Sequence, residues 1–181
     1  MGRPGSDEFR AIYAEHYNAV LRYAWRRVGA DAAPDVAAEV FTVAWRRLDQ
    51  LPANKVLPWL YGVTRKVVAN HVRGAERTER TAGQWAGQAA VSRDVADQVT
   101  VRHEVHRAWL SLSESDREVL ALIGWEGLNV REAARALECT AATFSVRLHR
   151  ARSRLRHALS RAEAESTPSL TTVNMEDTRC A

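Results

Sequence analysis

A chain of 181 residues with a formal charge of +4, 46% hydrophobic and 27% charged, has a globular composition able to bury one or two small cores. No apolar run approaches the roughly 18 residues that a membrane span needs, and the opening MGRPGSDEFR lacks the apolar core of a secretion signal. A cytoplasmic protein without membrane insertion is therefore expected. Cys139 and Cys180 show no CxxC spacing, and His103 and His106 have no third ligand nearby in sequence, so neither a disulfide scaffold nor a metal site is expected. With no carboxylate dyad, glycine-rich phosphate loop or nucleophile–base set, no cofactor and no enzymatic activity are expected either.

Apolar residues recur at three- and four-residue steps and glycine and proline are scarce, which predicts an all-α chain. Phe9, Tyr13, Tyr17, Leu21, Ala24 and Val28 form the first stripe, with Gly29 as its stop. Pro34 fits only a helix's first turn, so PDVAAEVFTVAWRRL is expected to run as one helix to about Leu48. Two adjoining stripes lie along it, Val36, Val40, Val43 and Phe41, Trp45, Leu48, one more than a single core needs. After the interruption DQLPANKVLP, a third helix is expected through WLYGVTRKVVANHVR to Gly74. Its buried stripe would be Leu60, Val63, Val67 and His71, and its polar face Arg65, Lys66, Asn70 and Arg73. Residues 76–99 lose periodicity, with Trp85 as their one aromatic, and read as a flexible linker.

Periodicity resumes with Val101, Val105, Ala108, Trp109 and Leu112, and SESDRE offers Ser115 as an N-cap with Glu118 three residues on. GLNVREAARALECTAATFSVRLHRARSRLR then has the layout of a helix-turn-helix. Gly127 ends one helix, Asn129 with Glu132 caps the next, ECTA makes the turn, and Ala141, Phe144, Leu148, Ala151 and Leu155 define an inward row. Thr143, Val146, Arg147, Arg150 and Arg154 must then point outward. From Thr140 to Arg161 there are six arginines and no carboxylate, whereas Asp31 to Glu39 carries three carboxylates and no base. A merely solvated helix face usually mixes signs, and a membrane-binding one needs bulkier anchors than a row with alanine at two of five positions. Duplex DNA suits the outward set better. Arginine matches guanine O6 and N7, Thr143 or Ser145 can bond several bases, and Val146 can meet a thymine methyl.

Four stretches, in this order, resemble the extracytoplasmic function (ECF, group IV) sigma factors of bacterial RNA polymerase: FRAIYAEHYNAVLRYAWRRVG, PDVAAEVFTVAWRRLDQL, PWLYGVTRKVVANHVRG and LSESDREVLALIGWEGLNVREAARALECTAATFSVRLHRARSRLRHAL. The resemblance implies two small helical domains. The first, residues 7–75 (region 2), would bind core RNA polymerase and the promoter −10 element; the second, residues 100–161 (region 4), would read the −35 element through its helix-turn-helix, followed by a disordered tail over 162–181. It makes Asp35, Glu39, Phe41 and Trp45 candidates for polymerase contact. Asn54, Lys55, Trp59, Arg65, Lys66 and Asn70 become candidates for the melted −10 strand, and Thr143, Ser145, Val146, Arg147, Arg150 and Arg154 for the duplex −35 element. Strand separation needs a pocket or stacking surface for an unpaired base and cations along its backbone, which fits that second set. Many relatives read D-x-x-Q-E where this chain reads DVAAE, with Ala38 in place of glutamine, and Ser145–Val146 replaces the usual basic residue and serine ahead of Arg147. An anti-sigma partner is a further expectation from the resemblance. The competing reading is a helix-turn-helix regulator that binds duplex DNA without polymerase.

Overall fold

The computed structural model describes residues 5–52, 55–82 and 99–166, and every regular element among them is helical. Helix α1 (Ser6–Arg46) is bent at Gly29, whose φ of 80° and ψ of 177° are open to glycine alone, so the predicted stop is a break between two limbs. Pro34, expected in a first turn, stands five residues past the bend and inside the helical run, because the second limb is helical from directly after Gly29; its missing amide proton leaves the Ala30 carbonyl without its usual helical donor. The limbs fold back on each other. Phe9 meets both Phe41 and Trp45 edge-on, and Tyr13 lies 4.9 Å from Tyr17 and 4.7 Å from Phe41. A 3₁₀ turn (Leu48–Gln50) leads to α2 (Val56–Ala82), which lays Leu60, Val67 and Val68 on Val20, Ala24, Val36, Val40 and Ala44 of α1.

The third helix differs from expectation in two ways. It continues eight residues past Gly74, because a lone glycine weakens a helix without ending it. His71, expected in the buried stripe, is exposed, as are its neighbours through Gly74. Thr64, fully buried, donates to the Leu60 carbonyl at 2.7 Å, whereas the buried Nε of Arg65 beside it has no hydrogen-bond partner.

The second domain comprises α3 (Val99–Leu110), α4 (Glu114–Gly124), α5 (Val130–Ala136) and α6 (Ala141–Ser166). The cap of α4 is Ser113 rather than Ser115. Ser113 adopts extended backbone and its hydroxyl accepts from the Asp116 amide at 3.1 Å, while Ser115 already lies within the first turn. For α5 the predicted reciprocal cap is present: the Asn129 side chain accepts from the Arg131 and Glu132 amides, and Glu132 accepts from the Asn129 amide. Helix α4 ends three residues before Gly127, which takes a φ of 67° in the connecting turn. Helix α6 runs past the predicted boundary at 161 to Ser166. The linker centre and the tail beyond 166, with Trp85 and Cys180, lie outside the described residues, as does Asn54.

Candidate nucleic-acid interface

Helix α6 is held by its inner row. Phe144 and Ala151 are fully buried and Leu148 nearly so, against Val119 and Leu122 of α4 and Ala133, Ala134 and Ala136 of α5. Leu155 is half-buried and Ala141, the first member of the predicted row, is exposed. The opposite face carries Thr143, Ser145, Val146, Arg147 and Arg150, all exposed; Val146 leaves half of its surface open. Local hydrogen bonds orient the small polar groups. Thr140 accepts from the Thr143 amide and shares a 2.9 Å bond with its hydroxyl, while Ser145 donates to the Ala141 carbonyl at 2.9 Å. With its proton committed inside the helix, Ser145 offers a base edge only lone pairs, which suit the amino donors of cytosine or adenine.

The turn between α5 and α6 is a helix cap made without glycine. The Cys139 amide reaches the Ala134 carbonyl and the Glu138 amide the Arg135 carbonyl, the paired bonds of a left-handed cap, and Glu138 supplies the required positive φ of 52°. A side chain there costs about 1 kcal/mol relative to glycine.

Arg154 does not stand free as its spacing predicts. Its Nη1 donates to both carboxylate oxygens of Asp116, at 2.9 and 2.7 Å, although its side chain is 60% exposed. Asp116 is itself buried, and it also accepts the Ser113 hydroxyl. Arg154 thus ties the start of α4 to the middle of α6. The reason lies outside any helical periodicity, because Asp116 is 38 residues away in sequence.

The expected −10 set divides similarly. Trp59 is half-buried and packs on the first core, and Lys55 is half-buried, its amide bonded to the Pro52 carbonyl. Asn70 is exposed and accepts from Arg73 at 2.5 Å. Arg65 and Lys66 face the second domain: Lys66 pairs with Glu138, and Arg65 lines a cleft with Arg27, Arg73, Arg147, Glu114 and Glu118. The Glu138 carboxyl is held below its ordinary value chiefly by the hydrogen bond from Lys66, against the opposing effect of burial, with the charges of Lys66 and Arg65 adding to the lowering.

Of the expected polymerase-contact residues, Asp35 and Glu39 are exposed on the second limb of α1, and Trp45 is partly exposed. Phe41 is a correction. Only 3% of its surface is open, enclosed by Phe9, Tyr13 and Tyr17, so its ring supports the surface from beneath and cannot form part of it.

A group that the sequence leaves unmarked joins the two domains. Tyr23 and Tyr61, stacked at 4.9 Å, belong to the same buried cluster as Val119, Leu122, Leu128 and Phe144. The Tyr23 hydroxyl donates to Glu118 at 2.5 Å, and Arg27 lies over the Tyr23 ring and bonds the same carboxylate. Arg26 pairs with Glu126. Burial first, then the neighbouring glutamates, hold both tyrosine hydroxyls protonated far above their ordinary range. The available signal was a second face on each helix, Ala19–Tyr23–Arg26 on α1 and Leu57–Tyr61 on α2, at helical spacing but off the main stripes.

Among the described residues no helix is long and apolar enough to cross a membrane, and no cluster of His, Cys, Asp and Glu is arranged to hold a metal.

Comparison with known proteins agrees with this geometry. Residues 12–78 match Sigma-70 region 2 and residues 102–155 match Sigma-70 region 4. The chain is 30% identical over 129 residues to the ECF RNA polymerase sigma factor EcfG of Rhodopseudomonas palustris, covering 70% of each protein. It is 29% identical over 149 residues to SigM of Bacillus subtilis, covering 80% of this chain and 91% of SigM. It is also 30% identical over 141 residues to BldN of Streptomyces coelicolor, of whose length it spans 53%. In fold it resembles the sigma factor RpoE of Bartonella quintana, solved with the anti-sigma factor NepR (TM-score 0.65, 23% identity, 84% of this chain and 97% of that one). CnrH, solved with the cytosolic domain of CnrY, is also similar (TM-score 0.58, 22% identity, 84% and 88%). The two matched regions coincide with the two helical domains, and the chain belongs to the ECF family of RNA polymerase sigma factors.

Proposed function

We propose that the protein is a non-enzymatic promoter-specificity factor. It binds core RNA polymerase, directs it to a two-part promoter and helps to open the DNA, and its place is the cytoplasm, where its polymerase partner works. The observation that carries this is α6: an apolar row anchored in a core, and an outer face of Thr143, Ser145, Val146, Arg147 and Arg150 within a stretch that has six arginines and no carboxylate. Such a face reads base edges with its first turns and phosphates with its later arginines.

In this reading residues 7–75 form the polymerase- and −10-binding domain and residues 100–161 the −35-binding domain. Asp35, Glu39 and Trp45 meet polymerase. Asn54, Lys55, Trp59, Arg65, Lys66 and Asn70 serve the melted −10 strand, with Trp59 and Lys55 offering only their uncovered edges. Thr143, Ser145, Val146, Arg147 and Arg150 read the −35 duplex, while Arg154 acts mainly by fixing α6. The compact pairing of regions 2 and 4 supports placement in group IV, and the complexes of RpoE and CnrH support an anti-sigma protein as a further partner.

The test is transcription in vitro. Purified protein added to core polymerase is expected to produce transcripts with defined starts, and mapping those starts reveals both promoter elements. Duplex binding without any stable polymerase complex would favour the regulator that acts alone.

A further inference from the structure

The cleft that Arg65 borders has a volume of about 550 Å³, within the roughly 300–1,000 Å³ of small-molecule sites. One wall is a single face of α2. Arg65, Val68, Ala69, Val72 and Arg73 recur there at steps of three and four residues, so an apolar strip separates two guanidinium groups. At 1.5 Å of rise per residue their backbones stand about 12 Å apart. Val72 leaves 41% of its surface open, Leu137 faces the strip from the second domain, and Arg147 of α6 supplies a third cation.

The carboxylates at the cleft do not cancel these charges. Two border it with four arginines, and Glu118 is already bonded by Arg27 at 2.6 Å and by the Tyr23 hydroxyl. That leaves Arg65, Arg73 and Arg147 against Glu114 alone, which is exposed in the first turn of α4. Arg65 also keeps an unmet donor, because its buried Nε has no hydrogen-bond partner, and a small turn of the side chain towards an anion would satisfy it. Ser115 adds a hydroxyl near the start of α4, where the helix dipole favours negative charge.

A bare anion would use the arginines and leave the apolar strip in water, whereas a fatty acid would cover the strip and bring a single charge. A nucleotide with several phosphates uses both. We propose that this cleft binds a free nucleoside polyphosphate, with its base on Val68, Val72 and Leu137 and its phosphates held by Arg65, Arg73 and Arg147. Arg65 and Arg147 are also assigned to promoter DNA, so nucleotide and DNA compete for them; that consequence alone rests on the proposed function.

The experiment is calorimetric titration of the full chain, without polymerase or DNA, by ATP, GTP and inorganic pyrophosphate. One of the nucleotides is expected to bind once per chain and at least about tenfold more tightly than pyrophosphate, which has no base to cover the strip. Arg65→Gln and the exposed Arg73→Gln should each weaken it about tenfold or more, the loss of one charged hydrogen bond. Arg46→Gln removes the same charge from an exposed position outside the cleft and should change nothing. Val72→Trp fills the strip and should abolish nucleotide binding while pyrophosphate still binds, a split that an unfolded variant cannot give. The absence of saturable binding by either nucleotide, or equal losses from Arg46→Gln and Arg73→Gln, would overturn the site. Pyrophosphate binding as tightly as the nucleotides would overturn the assignment to a nucleotide. Binding of a single-stranded −10 oligonucleotide that Val72→Trp abolishes, with no binding of ATP or GTP, would give the cleft to DNA instead. Competition is read separately, by displacing a −35 duplex with the nucleotide, and simultaneous binding of both would overturn the shared use of Arg147. If no duplex binds at all, it is the proposed function that fails, while the titrations still decide the site.

Discussion

The outer face of α6 and the polar face of α2 carry similar chemistry, arginine and lysine beside small polar groups, yet they stand in opposite states. On α6, Arg147 and Arg150 are exposed, although Arg147 also borders the cleft, above an inner row sunk in the cluster that includes Tyr23 and Tyr61. On α2, Lys66 is engaged by Glu138 of the other domain and Arg65 is turned into the cleft between them. A basic stripe therefore marks a surface that can meet nucleic acid, while its availability depends on what the rest of the chain places against it. Under the proposed function, most of the groups assigned to the duplex stand open, whereas two of those assigned to the melted strand, Arg65 and Lys66, are turned towards the other domain.

The comparison breaks most completely if α6 loses its floor. Phe144→Ala empties a fully buried site shared by α4, α5 and α6 and should cost about 3–5 kcal/mol, so that denaturant unfolding of the second domain shifts strongly and −35 duplex binding is lost. Within an intact α6, two arginines should separate reading from anchoring. Arg147→Ala is expected to cost about 1–3 kcal/mol of discrimination at one or two −35 positions, whereas Arg150→Ala should weaken all sequences alike and reduce the salt slope by about 1. Binding titrations across single-base variants at two salt concentrations distinguish these, and equal losses on every sequence from both changes would refute the division.

Arg154 sharpens the contrast by its dual position. Because it is 60% exposed, its pair with Asp116 deserves only a discounted value, and Arg154→Ala should lower stability by about 1 kcal/mol in the absence of any DNA. No change in the unfolding midpoint would return Arg154 to a purely DNA-facing role. At the turn, Glu138→Gly relieves the left-handed residue and should stabilise the second domain by about 0.5–1 kcal/mol, while it removes the partner of Lys66. The smallest effect is acid-dependent. Glu138 has its carboxyl lowered in the folded protein, so its contribution is present above the ordinary glutamate value and is lost as pH falls through the lowered one. The NMR signal of the Lys66 side chain beside its ammonium group should shift over that window as the pair is lost, and a flat profile would mean that the pair has no role in solution.

Much of the architecture was legible because it rests on local rules. Gly29 marks the bend of α1, the Asn129–Glu132 cap is two residues in reciprocal contact, and the row Phe144, Leu148, Ala151 is a period that only a helix can satisfy. The errors also have local causes. Ser113 and Ser115 both suit a cap, and only the backbone conformation at 113 selects between them; Gly74 is an ordinary stop that α2 runs through; Phe41 lies on a stripe whose aromatic neighbours turn out to enclose it.

Composition and periodicity alone determined that this chain is helical, that it can bury one or two small apolar cores, and that α6 turns an apolar row inward and arginines outward. The tertiary structure alone decided which charges are free. Arg154 with Asp116, Lys66 with Glu138, and Tyr23 and Arg27 with Glu118 are joined across 38 to 95 residues of chain, and no repeat of 3.6 residues can foretell a partner at that distance. Helical order follows from contacts within a few residues, whereas the neutralisation of a charge depends on whatever the completed fold brings within about 4 Å of it.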